Sequence, residues 1–319
     1  MLLSVAIMVP VSVSATEVDI AQTSVTSGDY EYKVLADGTA QITKYKGSDE
    51  YLVIPSTIDG LTVTVLGSNS FQSKTFKTVT IPDTVKIVGS YSFSSCKNIT
   101  EIIIPDSVTE VERNAFNTCS NLKTVVIGDS VTSIGDNVFS SCGNLKNVTF
   151  GNSLKTIGEF AFNYCKSIRK IVIPDSVEII EGSAFRYCEY LSDLTIGKSV
   201  KSIGAEAFYN CIRLTEVTIP DSVETMGANV FDDCANLVYA KIGNSVKAID
   251  TYTFLRCKKL ETVEIGNSVE TIGERAFEYC DSLKVLDIPD SVINIEKYAF
   301  KSCPLLEQVN LGSSVMNIK

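Results

Sequence analysis

The sequence predicts a mainly β fold in which short strands stack, coil upon coil, into a solenoid with a parallel sheet. Three observations predict it: the ten cysteines follow one another at intervals of 23 residues, a phenylalanine stands three residues before each cysteine, and an apolar residue stands three residues after it. A single coil cannot bury both sides of its apolar layer, so its stability must come from neighbouring coils. About eleven coils at an interstrand spacing of about 4.8 Å predict a rod on the order of 50 Å long.

The repeated unit reads Leu-x-x-Val-x-Ile-(Pro/Gly)-(Asp/Asn)-Ser-Val-x-x-Ile-Gly-x-x-Ala-Phe-x-x-Cys. A period of roughly 20 to 29 residues with a leucine-rich strand is the pattern of a leucine-rich-repeat solenoid. Stacking places equivalent side chains in columns, and the apolar columns form the predicted core. The clearest core columns are those of phenylalanine and cysteine, represented by Phe116, Phe139, Phe162, Phe185 and Phe208 and by Cys119, Cys142, Cys165, Cys188 and Cys211.

Residues 1–15 form an apolar run that is too short to span a bilayer and ends in the small-residue pattern Val13-Ser14-Ala15. We expect a signal peptide that is cut after Ala15, followed by a linker over residues 16–29. The alternative is a buried apolar strand. The run departs from the signal-peptide pattern in one respect, because no lysine or arginine precedes it.

Residues 30–70 are expected to cap the N-terminal end of the solenoid and to include a first degenerate coil. Strand-like alternation between Tyr30 and Gly60, around the turn residues Asp37-Gly38, predicts a β-hairpin. The regular units then occupy residues 71–319. The last unit stops at Lys319 in mid-repeat, so we expect a truncated copy of a longer array.

Each part of the unit has a predicted conformation. From Leu122 to Ile127, apolar residues at near-alternating positions predict a strand with one face inward. The proline or glycine that follows, with its polar neighbours, predicts a turn. The Val-x-x-Ile step then predicts a short second extended segment, and the spacing of Phe-x-x-Cys predicts a single helical turn.

Composition argues against several classes of function. Lysine and arginine total 28 against 38 aspartates and glutamates, and the net charge of -10 disfavours nucleic acid and anionic membrane surfaces as partners. The chain has no histidine for metal binding, proton transfer or activation of a nucleophile. We therefore predict a protein that is not an enzyme, binds no cofactor or metal, and does not insert into a membrane once the signal peptide is removed.

The repeated cysteines and aspartates each have a chemical alternative. Cysteines of exported proteins commonly form disulfides, and zinc or redox chemistry is a further alternative. Stacked side chains point the same way, however, which favours buried free thiols. The aspartate after proline, as in Asp106 and Asp175, is compatible with a calcium ladder, but Gly-Asn or Gly-Lys replaces Pro-Asp in neighbouring coils, which favours a turn residue.

The motif Ile-Pro-Asp-Ser-Val-x-x-Ile-Gly-x-x-Ala-Phe-x-x-Cys, repeated through residues 82–303, resembles the BspA-like leucine-rich repeats of bacterial surface proteins. The segment from Tyr32 to Gly47, followed by Ile54-Pro55, resembles the usual leader of such arrays. The resemblance implies a secreted or surface-attached protein, since some members bind host matrix proteins or other cells. It brings no catalytic motif, and a fold does not by itself determine function.

Two exposed columns are candidate binding surfaces. The outward strand positions include Val126, Val172, Thr195 and Thr218, and they become charged further along the chain. The column beside Phe-x-x-Cys carries tyrosine and arginine, which are enriched in binding hot spots. These residues are Tyr164, Arg186, Tyr187, Tyr209, Arg256 and Tyr279. The alternative is that both columns are solvated positions that vary freely.

The sequence thus predicts a secreted or cell-surface, adhesin-like module that binds an extracellular protein or glycan through its repeat face. One alternative is a passive stalk that spaces another domain from the cell. A less favoured alternative is an enzyme component, which would depend on carboxylates alone for acid–base chemistry.

Overall fold

The computed structural model describes residues 24–319, so the signal peptide expected over residues 1–15 lies outside the described residues. Residues 24–319 form 28 strands and contain no helix. They wind into a solenoid in which each coil carries a long strand followed by a short one. The predicted mainly β solenoid with parallel sheets is confirmed.

The N-terminal end is an antiparallel three-stranded cap. Its hairpin turns at Gly38, which has a φ of 81°. Residues 25–27, which we expected in a linker, instead pair with the first hairpin strand, because their backbone groups complete its free edge. The second hairpin strand pairs in parallel with the first short strand of the solenoid, so the cap passes directly into the stack. The cap strands are β1 (Val25–Ser27), β2 (Tyr30–Val34) and β3 (Ala40–Tyr45).

The long strands form one side of the solenoid, which we call the long-strand side. Each lies 23 residues beyond the preceding one from β9 onward, and its central residue is turned toward the core. They are β4 (Tyr51–Val53), β7 (Thr78–Thr80), β9 (Glu101–Ile104), β11 (Thr124–Ile127), β13 (Asn147–Thr149), β15 (Lys170–Val172), β17 (Asp193–Thr195), β19 (Glu216–Thr218), β21 (Tyr239–Lys241), β23 (Thr262–Glu264), β25 (Val285–Asp287) and β27 (Gln308–Asn310).

The short strands form the second side and are the predicted second extended segments. Successive short strands pair in parallel from β6 to β20 and again from β22 to β28, and the cap strand β3 pairs with β6. A two-residue strand, β5 (Thr57–Ile58), folds back on the first of them. The short-strand series is β6 (Leu61–Leu66), β8 (Ile87–Val88), β10 (Glu110–Val111), β12 (Ser133–Ile134), β14 (Thr156–Ile157), β16 (Ile179–Ile180), β18 (Ser202–Ile203), β20 (Thr225–Met226), β22 (Ala248–Ile249), β24 (Thr271–Ile272), β26 (Asn294–Ile295) and β28 (Asn317–Ile318).

The third side carries Phe-x-x-Cys, and we call it the Phe–Cys side. The single helical turn expected there is wrong, because consecutive turns take its place. Two residues per coil, such as Asn114 and Thr118, have left-handed φ values of 58° and 59°. Their N–H groups and that of Phe116 donate to carbonyls of the next coil, while the alternate N–H groups bond three residues back. An α-helix needs uninterrupted bonds four residues back, which this alternation excludes.

The phenylalanine column forms a continuous aromatic stack inside the Phe–Cys side. Ring centroids of successive coils lie 4.9 to 5.8 Å apart from Phe71 to Phe300. Tyr45 of the cap continues the stack, with its ring 5.7 Å from that of Phe71. Neighbouring coils thus contact each other through the same large apolar rings over the described length of the solenoid, and area burial and ring stacking both stabilise this contact.

Each cysteine thiol donates a hydrogen bond across the coil boundary. The Sγ of Cys188, for example, lies 3.4 Å from the carbonyl oxygen of Phe162 in the preceding coil, and all ten cysteines repeat this contact at 3.0 to 3.5 Å. The Phe162 carbonyl also accepts from the backbone N–H of Cys165 in its own coil. A carbonyl oxygen has two lone pairs, so the two donors together satisfy it.

The corner after each long strand decides whether that strand pairs with the one before it. From β9 onward, six corners carry glycine and four carry proline, namely Pro105, Pro174, Pro220 and Pro289. Every long strand that leads into a glycine corner pairs with the preceding strand, and every one that leads into a proline corner does not. Between β4 and β7, across the longer first coil, Pro82 is compatible with pairing.

A steric contact explains this rule. A Cβ atom built on the corner glycine Gly151 or Gly197 would lie only 2.2 Å from a backbone oxygen of the preceding coil. Proline carries that Cβ and a ring besides, so a coil with a proline corner cannot approach as closely. The aspartates follow the same division: Asp106 Oδ1 accepts from the N–H of Asp129, 2.8 Å away, across a glycine junction, and this bond is missing at the proline junctions of the described chain.

Candidate functional site

The outward strand residues lie where the strand alternation predicts. Val172, Thr195 and Thr218 are exposed on the long-strand side, and Val126 is half-buried. Thr195 and Thr218 border a groove of about 640 Å³ at the junction where β17 and β19 do not pair. Lys198, Glu216 and Lys241 also line this groove, so it mixes charges of both signs and carries no single electrostatic preference.

The tyrosine and arginine column forms a contiguous patch on the Phe–Cys side. The rings of Tyr164 and Tyr187 stack with centroids 4.5 Å apart, and Tyr187 meets Tyr209 edge to face at 5.4 Å. The guanidinium carbon of Arg186 lies 4.6 Å from the centroid of Tyr187 and 4.9 Å from that of Tyr209. These four residues belong to three successive coils, and we call them the tyrosine patch.

Charged neighbours hold the patch in place. Arg186 Nε forms an ion pair with Glu206 Oε2 at 2.8 Å. Two coils beyond Tyr209, Arg256 Nη2 contacts both carboxylate oxygens of Asp232, which lies in the coil between them, at 2.9 and 3.0 Å. Burial raises the pKa of Asp232 to about 6, while Asn229 and Arg256 oppose that shift through a hydrogen bond and charge. Burial, followed by the charge of Asp232, also raises the pKa of Tyr209.

Tyr279 does not join this patch. Its exposed ring makes no aromatic or cation–π contact within the described chain. A second cluster lies elsewhere on the Phe–Cys side, where Arg275 lies between the rings of Tyr252 and Tyr298, with its guanidinium carbon 6.0 and 5.2 Å from their centroids. The structure therefore brings four of the six column residues into contact, and Arg256, with Asp232, influences Tyr209 only through charge.

The backbone conformation at the patch is unfavourable for large side chains. Tyr164, Tyr187 and Arg256 have left-handed φ values of 59°, 57° and 60°. Serine, threonine or asparagine fills the same position in other coils, as at Ser141, Thr118 and Asn210. The left-handed region is costly for large side chains, by roughly 1 to 2 kcal/mol, and is tolerated better by asparagine. The coil geometry requires this φ, but it does not require a tyrosine.

The core columns lie away from solvent and carry no reactive group. Phe116, Phe139, Phe162, Phe185 and Phe208, and the five cysteines three residues after them, are fully buried. All ten thiols are free. Burial raises the pKa of the Cys142 thiol to about 12, which keeps it protonated and unreactive near neutral pH.

The recurrent aspartates act as acceptors for backbone N–H groups. Asp290 Oδ1 accepts from the N–H and hydroxyl of Ser313, at 2.7 and 3.0 Å, and these bonds lower its pKa. Within residues 24–319, no three histidine, cysteine, aspartate or glutamate side chains converge to hold a metal ion. The same residues contain no helix that is long and apolar enough to cross a bilayer.

A third surface was not identified from the sequence. It is a groove of about 510 Å³ between the Phe–Cys side and the start of the long strands. Its charged and aromatic lining consists of Arg169, Tyr190, Arg213 and Lys259, and we call it the basic groove. Tyr190, Arg213 and Lys259 share the second position after cysteine, and no pattern in the sequence marks this column as a binding surface.

Comparison with known proteins identifies the family. The pattern described as BspA type leucine rich repeat region matches residues 64–192 and 178–307, in six copies. The chain belongs to this family of bacterial leucine-rich-repeat proteins, and the resemblance noted from the sequence is confirmed. No curated protein matches the chain.

Solved structures extend the comparison. The chain is 27% identical to a leucine rich cell surface protein from Faecalibacterium prausnitzii, with a TM-score of 0.50 over 92% of this chain and 95% of that one. It is 25% identical to a leucine-rich repeat protein from Bacteroides ovatus, with a TM-score of 0.58 over 92% and 90%. The pneumococcal vaccine antigen PcpA, 18% identical with a TM-score of 0.56 over 93% and 88%, shows the fold alone.

Proposed function

We propose that this chain is a secreted or cell-surface module that binds an extracellular protein or glycan through the tyrosine patch, without chemical conversion. The observation that carries the proposal is the continuous packing of the rings of Tyr164, Tyr187 and Tyr209 on one another, with Arg186 in contact with two of them. Tyr164 and Tyr187 also occupy left-handed positions that several other coils fill with small polar residues. Strained backbone positions persist where the surroundings compensate for them, and they concentrate at binding sites.

The composition of the patch suits recognition. Tyrosine and arginine are enriched in interface hot spots, because a flat amphipathic ring buries a large area with little loss of conformational freedom. Mutual stacking at 4.5 Å and the Arg186 contacts hold the rings in place before a partner arrives, which reduces the entropy cost of binding. Surface display is supported by the cell surface protein of Faecalibacterium prausnitzii, which this chain resembles along most of its length.

The test replaces the patch with residues that neighbouring coils already carry. The variant Tyr164→Ser, Arg186→Asn, Tyr187→Asn takes its side chains from Ser141, Asn163 and Asn210, so the coil geometry is preserved. A matched control removes two tyrosines and one arginine from the second cluster, as Tyr252→Asn, Arg275→Asn, Tyr298→Asn. Binding of the full chain is measured on arrays of extracellular matrix proteins and neutral glycans.

We expect the patch variant to bind at least tenfold more weakly than the wild-type chain and the control variant to bind as the wild type does. Equal losses in both variants would contradict the choice of surface. Absence of binding by the wild-type chain to every array component would contradict the proposal itself and favour the passive stalk.

A further inference from the structure

The basic groove stands out because the chain as a whole is acidic. The net charge is -10, yet the groove is lined by Arg169, Arg213 and Lys259 and by no aspartate or glutamate. Several exposed lysines elsewhere, in contrast, form an ion pair with an acidic residue in the next coil, as in Lys155 with Glu178 at 2.7 Å and Lys170 with Asp193 at 2.7 Å. Within residues 24–319, none of the three groove cations lies within 4 Å of a carboxylate oxygen.

An aromatic ring orients one of these cations. The guanidinium carbon of Arg213 lies 4.4 Å from the ring centroid of Tyr190, a residue that is 40% exposed. Stacking on tyrosine leaves the planar fork of N–H donors free to contact an oxyanion with two parallel hydrogen bonds. The pair presents a flat apolar surface and a fixed cation side by side, which suits a sugar ring that bears a negative group.

Neutral polar groups fill the space between the cations. Asn236 Nδ2 donates to the carbonyl of Ile212 at 2.6 Å, which fixes the amide and leaves its Oδ1 available to accept from a hydroxyl. Ser192 and Thr215 also line the groove. At this level β17 and β19 do not pair, and the backbone N–H of Thr215 has no partner among the described residues. The groove therefore offers additional donors and acceptors to an uncharged part of a ligand.

The spacing of the cations favours one class of polymer. Arg169, Arg213 and Lys259 belong to alternate coils, so they are separated along the solenoid axis by about 9.6 Å, twice the interstrand spacing. Side chains on one face of an extended peptide repeat every ~6.6 Å, out of step with this distance. A polysaccharide with an acidic group on every sugar residue, or on every second one, can place one such group opposite each cation and a further sugar residue opposite the coil between them.

We infer that the basic groove binds an anionic polysaccharide, with Arg169, Arg213 and Lys259 contacting its carboxylate or sulfate groups and Tyr190 contacting a sugar ring. Lys146 and Lys123 continue the column of Arg169 in the two preceding coils and extend the positive strip. This site shares no residue with the tyrosine patch, so it adds a second ligand to the proposed module. Its test is therefore independent of the test of the patch.

The test compares two triple variants that remove the same charge at the same spacing. The groove variant is Arg169→Ser, Arg213→Asn, Lys259→Asn, with side chains taken from Ser192 and Asn236 in the same columns. The control is Lys155→Thr, Lys201→Thr, Lys247→Thr. Its three lysines also occupy alternate coils, but they are ion-paired with Glu178, Glu224 and Glu270 at 2.7, 3.9 and 3.7 Å.

Binding of the full chain to polygalacturonate, dextran sulfate, neutral dextran and polyglutamate is measured by calorimetry at several salt concentrations, with circular dichroism to check the fold. We expect the wild-type chain to bind at least one anionic polysaccharide, with an affinity that falls as salt rises, and not to bind neutral dextran. The groove variant should lose at least tenfold in affinity and the control less than threefold.

Three outcomes would overturn the inference. Equal losses in the groove and control variants would mean that only total charge matters. Tighter binding to polyglutamate than to either polysaccharide would indicate an acidic peptide as the ligand. No binding of the wild-type chain to polygalacturonate or dextran sulfate would remove the site, whereas the tyrosine patch would still be tested by its own arrays.

Discussion

Along the Phe–Cys side each coil contacts the next in the same way, whereas along the long-strand side the contacts between coils stop wherever a proline corner follows. On the first side, the ring centroids of successive coils lie 4.9 to 5.8 Å apart, and each cysteine thiol donates a hydrogen bond to a carbonyl of the preceding coil. On the second side, both the hydrogen bonds between long strands and those from backbone N–H groups to aspartate carboxylates are interrupted at the proline corners, Pro105, Pro174, Pro220 and Pro289. The Phe–Cys side therefore contributes more to the cohesion of the solenoid than the long-strand side does, and the interruptions on the long-strand side leave room for grooves.

The largest expected effect comes from breaking the continuous side. Phe185→Ala should lower the free energy of unfolding by about 3 to 5 kcal/mol, because it removes a fully buried ring and two stacking contacts. Urea unfolding followed by circular dichroism measures this loss. A loss below about 1 kcal/mol would show that the aromatic stack is not the main source of cohesion.

A smaller effect is expected from crowding a glycine corner on the long-strand side. Gly197→Ala should cost about 1 to 3 kcal/mol, because the new Cβ would approach the Pro174 oxygen at 2.2 Å and push β17 away from β15. The control is Gly143→Ala, where a Cβ meets no atom within 4 Å. Equal thermal midpoints for the two variants would contradict the steric account of the corners.

The thiols predict a dependence on alkaline pH. The buried Cys142 has its pKa raised from 9.0 to about 12, so its stabilising contribution is complete below pH 9 and is lost as the pH rises from 9 toward 12. Cys142→Ala should cost about 1 to 2 kcal/mol at pH 7. Above pH 9 the unfolding free energy of the variant should fall less steeply than that of the wild type, by about 1.4 kcal/mol per pH unit. Parallel pH profiles for the two proteins would argue against this.

The smallest change in the unfolding free energy is expected from a substitution that lets the unpaired strands β17 and β19 approach each other. Pro220→Gly should change the unfolding free energy by about 1 kcal/mol or less, since lost chain rigidity offsets new ladder bonds. The amide of Thr215 should gain hydrogen-exchange protection, because its equivalent at a paired junction, the N–H of Ser192, bonds to the carbonyl of Arg169 at 2.9 Å. Pro82→Gly is the control, because β4 and β7 already pair. Unchanged protection at Thr215 would mean that proline does not cause the interruption.

The tyrosine patch could be predicted in part from the sequence, whereas the basic groove could not. Tyr164, Arg186, Tyr187 and Tyr209 were recognisable as a column because they fall at or beside the same point in successive repeats. Their stacking, and the separation of Tyr279 from them, depended on side-chain directions that the period does not specify. The basic groove was missed because Arg169 lies in a different column from Arg213 and Lys259, and only the folded coil brings the two columns to one edge.

The sequence alone determined the coil length, the stacking and the inward columns, because a strict 23-residue period leaves each apolar residue with an equivalent one directly above and below it. Only the tertiary structure decided that Phe-x-x-Cys forms turns instead of a helical turn, since its alternate N–H groups bond to the next coil. It also decided where the long-strand sheet is interrupted. Whether a proline or a glycine fits at a corner depends on the distance to the preceding coil, and that distance is a property of the packed solenoid.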